Sequence, residues 1–220
     1  MVNDCNKLIL HTRKFIQVRA IINEWIEKNA LIEPTLLDIG CRDCVLKNCI
    51  PENVNYVGLD MAQNKHKTVT HVGSFPYDFL FSAQNFDITC ALDCLEHMDD
   101  IQFGLEEMLR ITSRMAVIVL PNMSHVVFRL KYLLTGRIGD KYDLRTDSGK
   151  DRHRWLTTLR QSDVFIEEIA KRNGFKFNVT HIIENSIAIG KYGYVLSQLF
   201  SFLGLNWAAW SSLYTLERRS

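Results

Sequence analysis

Six residues have types and spacing that suit chemistry around one ligand. They are Asp38 and Gly40 in TLLDIGCRDC, Asp60 closing YVGLD, Asp93 and His97 in CALDCLEHM, and His153 in DRHRW. A glycine directly after a short apolar run permits a tight turn and close approach of backbone to a ligand. An acid about 20 residues beyond that turn is placed to accept hydrogen bonds from both hydroxyls of a ribose. Neutral imidazole titrates near the operating pH, so either histidine suits a general base. The same turn carries a rival pattern, Cys41-x-x-Cys44 with Cys49 nearby, which suits metal or redox chemistry. A structural zinc site takes four ligands, usually in two spaced pairs, and no second Cys-x-x-Cys or paired His follows, so no metal is expected. No Gly-x-x-x-x-Gly-Lys-Ser/Thr cradle occurs, which argues against nucleoside triphosphate binding at this loop.

These residues need elements that bring them together. Thr35–Ile39, Asn55–Leu59, Thr68–Val72, Phe86–Leu92 and Met115–Leu120 read as short buried strands, and Cys94–Thr112 between the last two reads as a helix. Alternating buried strands and helices imply a parallel sheet covered on both faces. In such a sheet ligands lie outside the carboxyl ends of the strands, where strand order reverses, so the ends of the first, second and fourth strands should meet. Residues 7–28 read as an amphipathic leading helix with Leu8, Ile16, Val18, Ile21, Ile22 and Ile26 on its apolar side. His125–Leu134 is a further helix, Thr135–Trp155 a long polar loop, and Thr157–Asn173 a helix ending at Gly174. Lys176–Ile183 and Trp210–Glu217 read as a closing antiparallel pair.

Composition sets outer bounds. The 220 residues suit one domain, with 35–122 as ligand-binding core, 123–156 as lid and acceptor insertion, and 157–220 as closing helix and edge strands. Lys and Arg number 26 against 25 acids, so net charge gives no case for nucleic acid. The N-terminus lacks a secretory pattern, and six cysteines without export imply reduced thiols in a cytoplasmic protein. The uncharged run 192–216 carries four Ser, a Gln, an Asn and two Gly, so it reads as a buried helix and strand rather than a membrane span. A membrane-facing or partner-facing patch, or a homodimer interface, is the alternative.

LLDIGCRDC, YVGLDMAQ, NFDITCALDCLEHMDD and MAVIVLPN, in this order, resemble class I S-adenosylmethionine-dependent methyltransferases over Thr35–Asn122. LPN, a loop containing GR, then HRW and a helix ending NGF are similar to bacterial methyltransferase-like proteins that include the methionine-biosynthesis protein MetW. The resemblance implies an α/β, Rossmann-like class I methyltransferase fold, a mostly parallel seven-stranded sheet with helices on both faces and an antiparallel edge pair. It implies S-adenosylmethionine as cofactor and S-adenosylhomocysteine as product. Asp38 would order the first turn and reach the cofactor's amino group, with Gly40 and Cys41 against the methionine moiety through their backbone. Asp60 would hold the ribose and Met61 would pack on the adenine. Ser74 and Phe75 stand at the adenine position, and Asp93 beside the sulfonium. His97 and His153 are the candidate catalytic bases, and Arg152 or Arg154 a candidate pair for a phosphate or carboxylate on the acceptor. The expected function is methylation of a small-molecule or sugar-linked acceptor. Its rivals are an S-adenosylmethionine-binding accessory protein with little catalysis and an NAD-dependent oxidoreductase. Bland readings stand beside these: Asp38 and Asp60 as helix caps, His97 as a helix-surface residue, and Cys90 and Cys94 as small core side chains.

Overall fold

The structure, a computed structural model, describes residues 13–139, 141–143, 146, 152–183, 195 and 198–219. Seven strands form one sheet: β1 (Thr35–Ile39), β2 (Asn55–Asp60), β3 (His71–Val72), β4 (Phe86–Leu92), β5 (Thr112–Pro121), β6 (Phe175–Ile182) and β7 (Ser211–Arg218). Their order is β3-β2-β1-β4-β5-β7-β6. The first five run parallel, while β7 is antiparallel to both β5 and β6. Strand order reverses between β1 and β4, which opens the ligand crevice at their carboxyl ends.

Helices cover both faces. On one face α1 (Arg13–Lys28) buries Val18, Ile22 and Ile26, spaced four apart on one stripe, against Leu36, Ile88, Val117 and Val119. On the other, α2 (Ile101–Ile111) and α4 (Leu159–Arg172) bury Leu105, Met108, Ile166 and Ile169 over Leu37, Ile39, Ala116 and Tyr214. Asp100 caps α2 by accepting from the Phe103 N–H at 2.9 Å. Between β5 and α4, α3 (Val126–Thr135) ends at Gly136, whose left-handed backbone lets its N–H reach the Tyr132 carbonyl at 2.8 Å. A short α5 (Leu205–Ala208) precedes β7.

Several sequence expectations are corrected here. The third strand keeps only His71–Val72 in the ladder; before it Thr70 bonds Gly58 through both its N–H and its hydroxyl, outside regular pairing. The helix expected from Cys94 starts at Ile101, because Leu95–His97 form a 3-10 turn that puts Leu95 and Glu96 inward. Ile16 lies on the exposed side of α1. Within 192–216 the strand is buried, but Leu199, Phe202, Leu203 and Leu205 are exposed, so no buried helix precedes it among the described residues. Cys49, read as a reduced thiol, is disulfide-bonded beneath Phe15 and Val45. Cys41, Cys44, Cys90 and Cys94 are free. Residues 7–12 of the leading helix, Asp140, Arg145, Asp147, Lys150 and Asp151 of the loop, and residues 192–194, 196 and 197 lie outside the described residues. Among the described residues no helix is long and apolar enough to cross a membrane.

Candidate functional site

The turn after β1 is built by one glycine and two residues that adopt glycine-like backbone. Gly40 has φ +75°, and a Cβ there would lie 2.5 Å from the Cys94 sulfur and 2.9 Å from its Cβ. Arg42 and Cys44, standing where glycines would ease such a turn, have φ of +49° and +54°. The N–H groups of Gly40 and Cys41 both donate to the Leu59 carbonyl of β2, at 2.8 and 3.1 Å. These donors are therefore committed to the sheet, and the turn offers a ligand its Cα surface and carbonyls.

Asp38 sits beneath the turn, buried, accepting a 2.7 Å bond from the Tyr56 hydroxyl. Burial pushes its carboxyl up to about 7, the Tyr56 bond pulling it down and nearby Asp60 raising it further. Asp60 accepts from the Arg42 N–H at 2.9 Å through one oxygen and from the Ala62 N–H at 3.2 Å through the other. A carboxylate has about four lone-pair positions, so two remain for hydroxyl donors. Met61 is exposed beside it. Phe75 is buried in the core, and Ser74 donates its N–H to Asp78 at 2.7 Å. An acid thus stands beside Ser74, supplied by Asp78, a residue the sequence reading did not single out.

Asp93 follows β4 with φ +50° and is ion-paired to Lys14 of α1. It borders a cavity of about 320 Å³ lined also by Glu96, Pro121, Phe128, Lys141, Tyr142, His153 and Trp210. His97 and His153 come together with ring centroids 4.5 Å apart, edge to face. What carries His153 there is the DRHRW end of the polar loop, which is tied to the turn after β4. The Arg154 and Trp155 N–H groups donate to the Glu96 carbonyl at 2.8 and 3.3 Å, and the Trp155 indole donates to the Met98 carbonyl at 2.8 Å. Trp155 therefore anchors this segment by its N–H while remaining partly exposed. Arg154 pairs with Asp99 at 2.9 Å on the surface, engaged there rather than aimed at the cavity.

Glu96 points into the same place and is fully buried; neither carboxyl oxygen has a hydrogen-bond partner among the described residues. Burial pushes it up to about 8, with Asp93 raising it further. The Cys41 and Cys44 sulfurs are 3.6 Å apart, buried against Tyr56 and Val69, and burial pushes the Cys41 thiol well up. A thiol held protonated in apolar packing is inert, and among the described residues no further ligand joins this pair. Cys90 is buried within β4, and Cys94 is partly buried against Gly40.

Comparison with known proteins places this arrangement. The family profile of the methionine biosynthesis protein MetW matches residues 18–158, more than half of the chain. No curated protein matches the chain in sequence. Solved structures share the fold. A SAM dependent methyltransferase from Archaeoglobus fulgidus is 13% identical, with TM-score 0.56 over 91% of this chain and 94% of its own. A SAM-dependent methyltransferase from Thermotoga maritima, described as a possible histamine N-methyltransferase, is 13% identical, with TM-score 0.52 over 100% of this chain and 96% of its own. Magnesium protoporphyrin IX methyltransferase from Synechocystis PCC 6803, solved with bound SAH, is 12% identical, with TM-score 0.52 over 92% of this chain and 83% of its own. A seven-stranded sheet with one antiparallel strand, a glycine turn after β1 and the family match lead to one conclusion: the chain belongs to the MetW family, on the class I methyltransferase fold.

Proposed function

We propose that this chain binds S-adenosylmethionine across the ends of β1, β2 and β4 and transfers its methyl group to a small-molecule or sugar-linked acceptor. The observation that carries the reading is the convergence, at the reversal of strand order, of the Gly40 turn, the Asp60 carboxylate and the Asp93 turn, with the cavity opening directly beside Asp93. Asp60 receives the ribose hydroxyls, Asp38 orders the turn from below, and Met61 covers the adenine with Asp78 near its amine. The acceptor occupies the cavity against Phe128 and Trp210, whose rings lie 5.0 Å apart. Its nucleophilic atom takes the methyl carbon, the carbon–sulfur bond breaks, and its electron pair stays on sulfur to give S-adenosylhomocysteine. Proximity and exclusion of water do most of this work. His153 lines the cavity and His97 stands edge-on against it, the two candidate bases for the acceptor's proton.

One observation favours the second reading, an accessory protein that binds the cofactor with little turnover. Asp93, beside the expected sulfonium, already holds Lys14, and a cation there repels the positive sulfur. Calorimetry with S-adenosylmethionine, S-adenosylhomocysteine and NAD tests both readings. Binding of the two sulfur nucleosides and not of NAD is expected, and its loss in Asp60→Ala ties it to β2. A methyl-transfer assay against hydroxylated and glycosylated acceptors then separates enzyme from accessory. Absence of sulfur-nucleoside binding overturns both.

A further inference from the structure

At one end of the cavity beside Asp93, Glu96 and His153 line the wall and His97 stands against them, an arrangement that suits neither packing nor hydrogen bonding among the three. His97 places Nδ1 2.8 Å from the Arg152 carbonyl. A carbonyl only accepts, so in the neutral ring Nδ1 carries the proton and Nε2 the lone pair. His153 places Nδ1 2.9 Å from the Tyr142 hydroxyl, and that hydroxyl gives its own proton to the Trp155 carbonyl at 3.0 Å. His153 Nδ1 must then donate as well, which again leaves the lone pair on Nε2. Both Nε2 atoms lie 3.9 Å from the same oxygen of Glu96. That is too long for a hydrogen bond, even from a protonated Glu96. The carboxyl is also fully buried without a hydrogen-bond partner among the described residues. Three acceptor atoms, all within 4.8 Å of one another, face one point.

We propose that Glu96, His97 and His153 form a binding site for one divalent transition-metal cation, with its open coordination positions on the cavity. Two neutral imidazoles and a carboxylate are a donor set for Zn²⁺, Mn²⁺ or Fe²⁺, and three protein ligands leave room for a bound water or substrate oxygen. With bonds of about 2.1 Å, ligand atoms on one side of an ion stand roughly 3.0 to 3.5 Å apart. From 3.9 Å to Glu96, and at most 4.8 Å between any two of the three atoms, the contraction needed is within the reach of side-chain rotation. The Arg152 carbonyl and the Tyr142 hydroxyl orient the two rings, as outer partners of ligating histidines do. Glu96 and His153 both line the cavity, so the ion would meet the acceptor. Its consequence for catalysis rests on the methyl-transfer reading: the ion polarises an acceptor hydroxyl, the task otherwise left to the two imidazoles, which points to an oxygen acceptor. Binding of the ion itself does not depend on that reading.

The test is titration of the full chain, dialysed against chelator, with Mn²⁺ alone, followed by calorimetry and by loss of the free-ion paramagnetic resonance signal. Mn²⁺ is chosen because the buried thiols bind softer ions far better. One ion per chain is expected, lost in His97→Ala, His153→Gln and Glu96→Gln, unchanged in His181→Ala on β6, and roughly 10-fold weaker in Tyr142→Phe. Gln keeps the shape of Glu96 without its charge, so thermal unfolding of metal-free Glu96→Gln is expected at or above that of the parent. His153→Gln, on the loop rather than in the core, carries the test if that variant fails to fold. Absence of stoichiometric binding, or binding indifferent to His153→Gln, overturns the site. Cofactor titration of the same metal-free samples fails or succeeds separately, which distinguishes failure of the metal site from failure of the methyl-transfer reading.

Discussion

At Gly40 two constraints meet: a left-handed backbone and a sulfur that occupies the space a side chain would need. Gly40→Ala is expected to cost roughly 3 kcal/mol, from the left-handed strain of a residue with a Cβ and from overpacking on Cys94. Cys94→Ala in the same chain should recover the part owed to the sulfur, read as a coupling in denaturant titrations of the four variants. Equal losses with and without the sulfur would contradict the packing account. Asp38 gives a prediction in pH. Its carboxyl is raised in the folded chain to about 7 from an ordinary 3.8, so the folded state holds a proton that the unfolded state gives up. That contribution is fully present below about pH 4 and is lost as pH rises through 7. Asp38→Asn should therefore gain stability relative to the parent across this window, by a few kcal/mol at pH 8, while the metal-free and cofactor-free chain is compared by thermal unfolding. A flat difference would show that the folded chain holds Asp38 at its ordinary acidity.

The short 3-10 turn Leu95–His97 and the DRHRW segment act as one unit, since backbone bonds from 154 and 155 clamp onto Glu96. α3 carries Phe128 into the cavity, and its start is held by His125, whose Nδ1 accepts from the Val127 N–H at 3.2 Å. Burial lowers His125 from 6.5 to about 4. The unfolded chain binds that proton more readily, so stability is full above about pH 6.5 and is lost as pH falls toward 4. His125→Asn keeps a capping side chain but does not titrate, so its stability should rise relative to the parent by on the order of 2 kcal/mol between pH 7 and pH 4. A difference independent of pH would contradict the capping assignment. The strands were legible because continuous apolar runs have no other place than a doubly covered sheet, and β1 and β4 match the sequence reading residue for residue. The candidate site was legible only where a motif is local. Gly40, Asp60 and Asp93 lie next to strand ends, whereas Lys14 reaches Asp93 from 79 residues away and His97 meets Arg152 across 55. Glu96 stands beside His97 just after β4 in the sequence, but an expected helix from Cys94 does not set its direction, and it is the 3-10 turn that sends it inward.

For the whole molecule, the single sheet explains why distant residues share one site. Its order brings the ends of β1, β2 and β4 side by side, α1 sends Lys14 across to Asp93, and the chain between β5 and α4 folds back over the cavity. The thiol-based reading of the β1 turn loses its ground here, because both sulfurs are buried under Gly58 and Tyr56, while the turn's backbone faces the crevice. In the function proposed here, the accessible acids and the glycine turn hold the nucleoside and the neighbouring cavity takes the second molecule. Calorimetric titration of the parent chain and of Asp60→Ala with S-adenosylmethionine tests this most directly. The account predicts one cofactor per parent chain and at least ~10-fold weaker binding without the Asp60 carboxylate, the loss of charged hydrogen bonds to a ribose being worth about 1.5 to 3 kcal/mol. No binding to the parent, or equal binding to both, would contradict it.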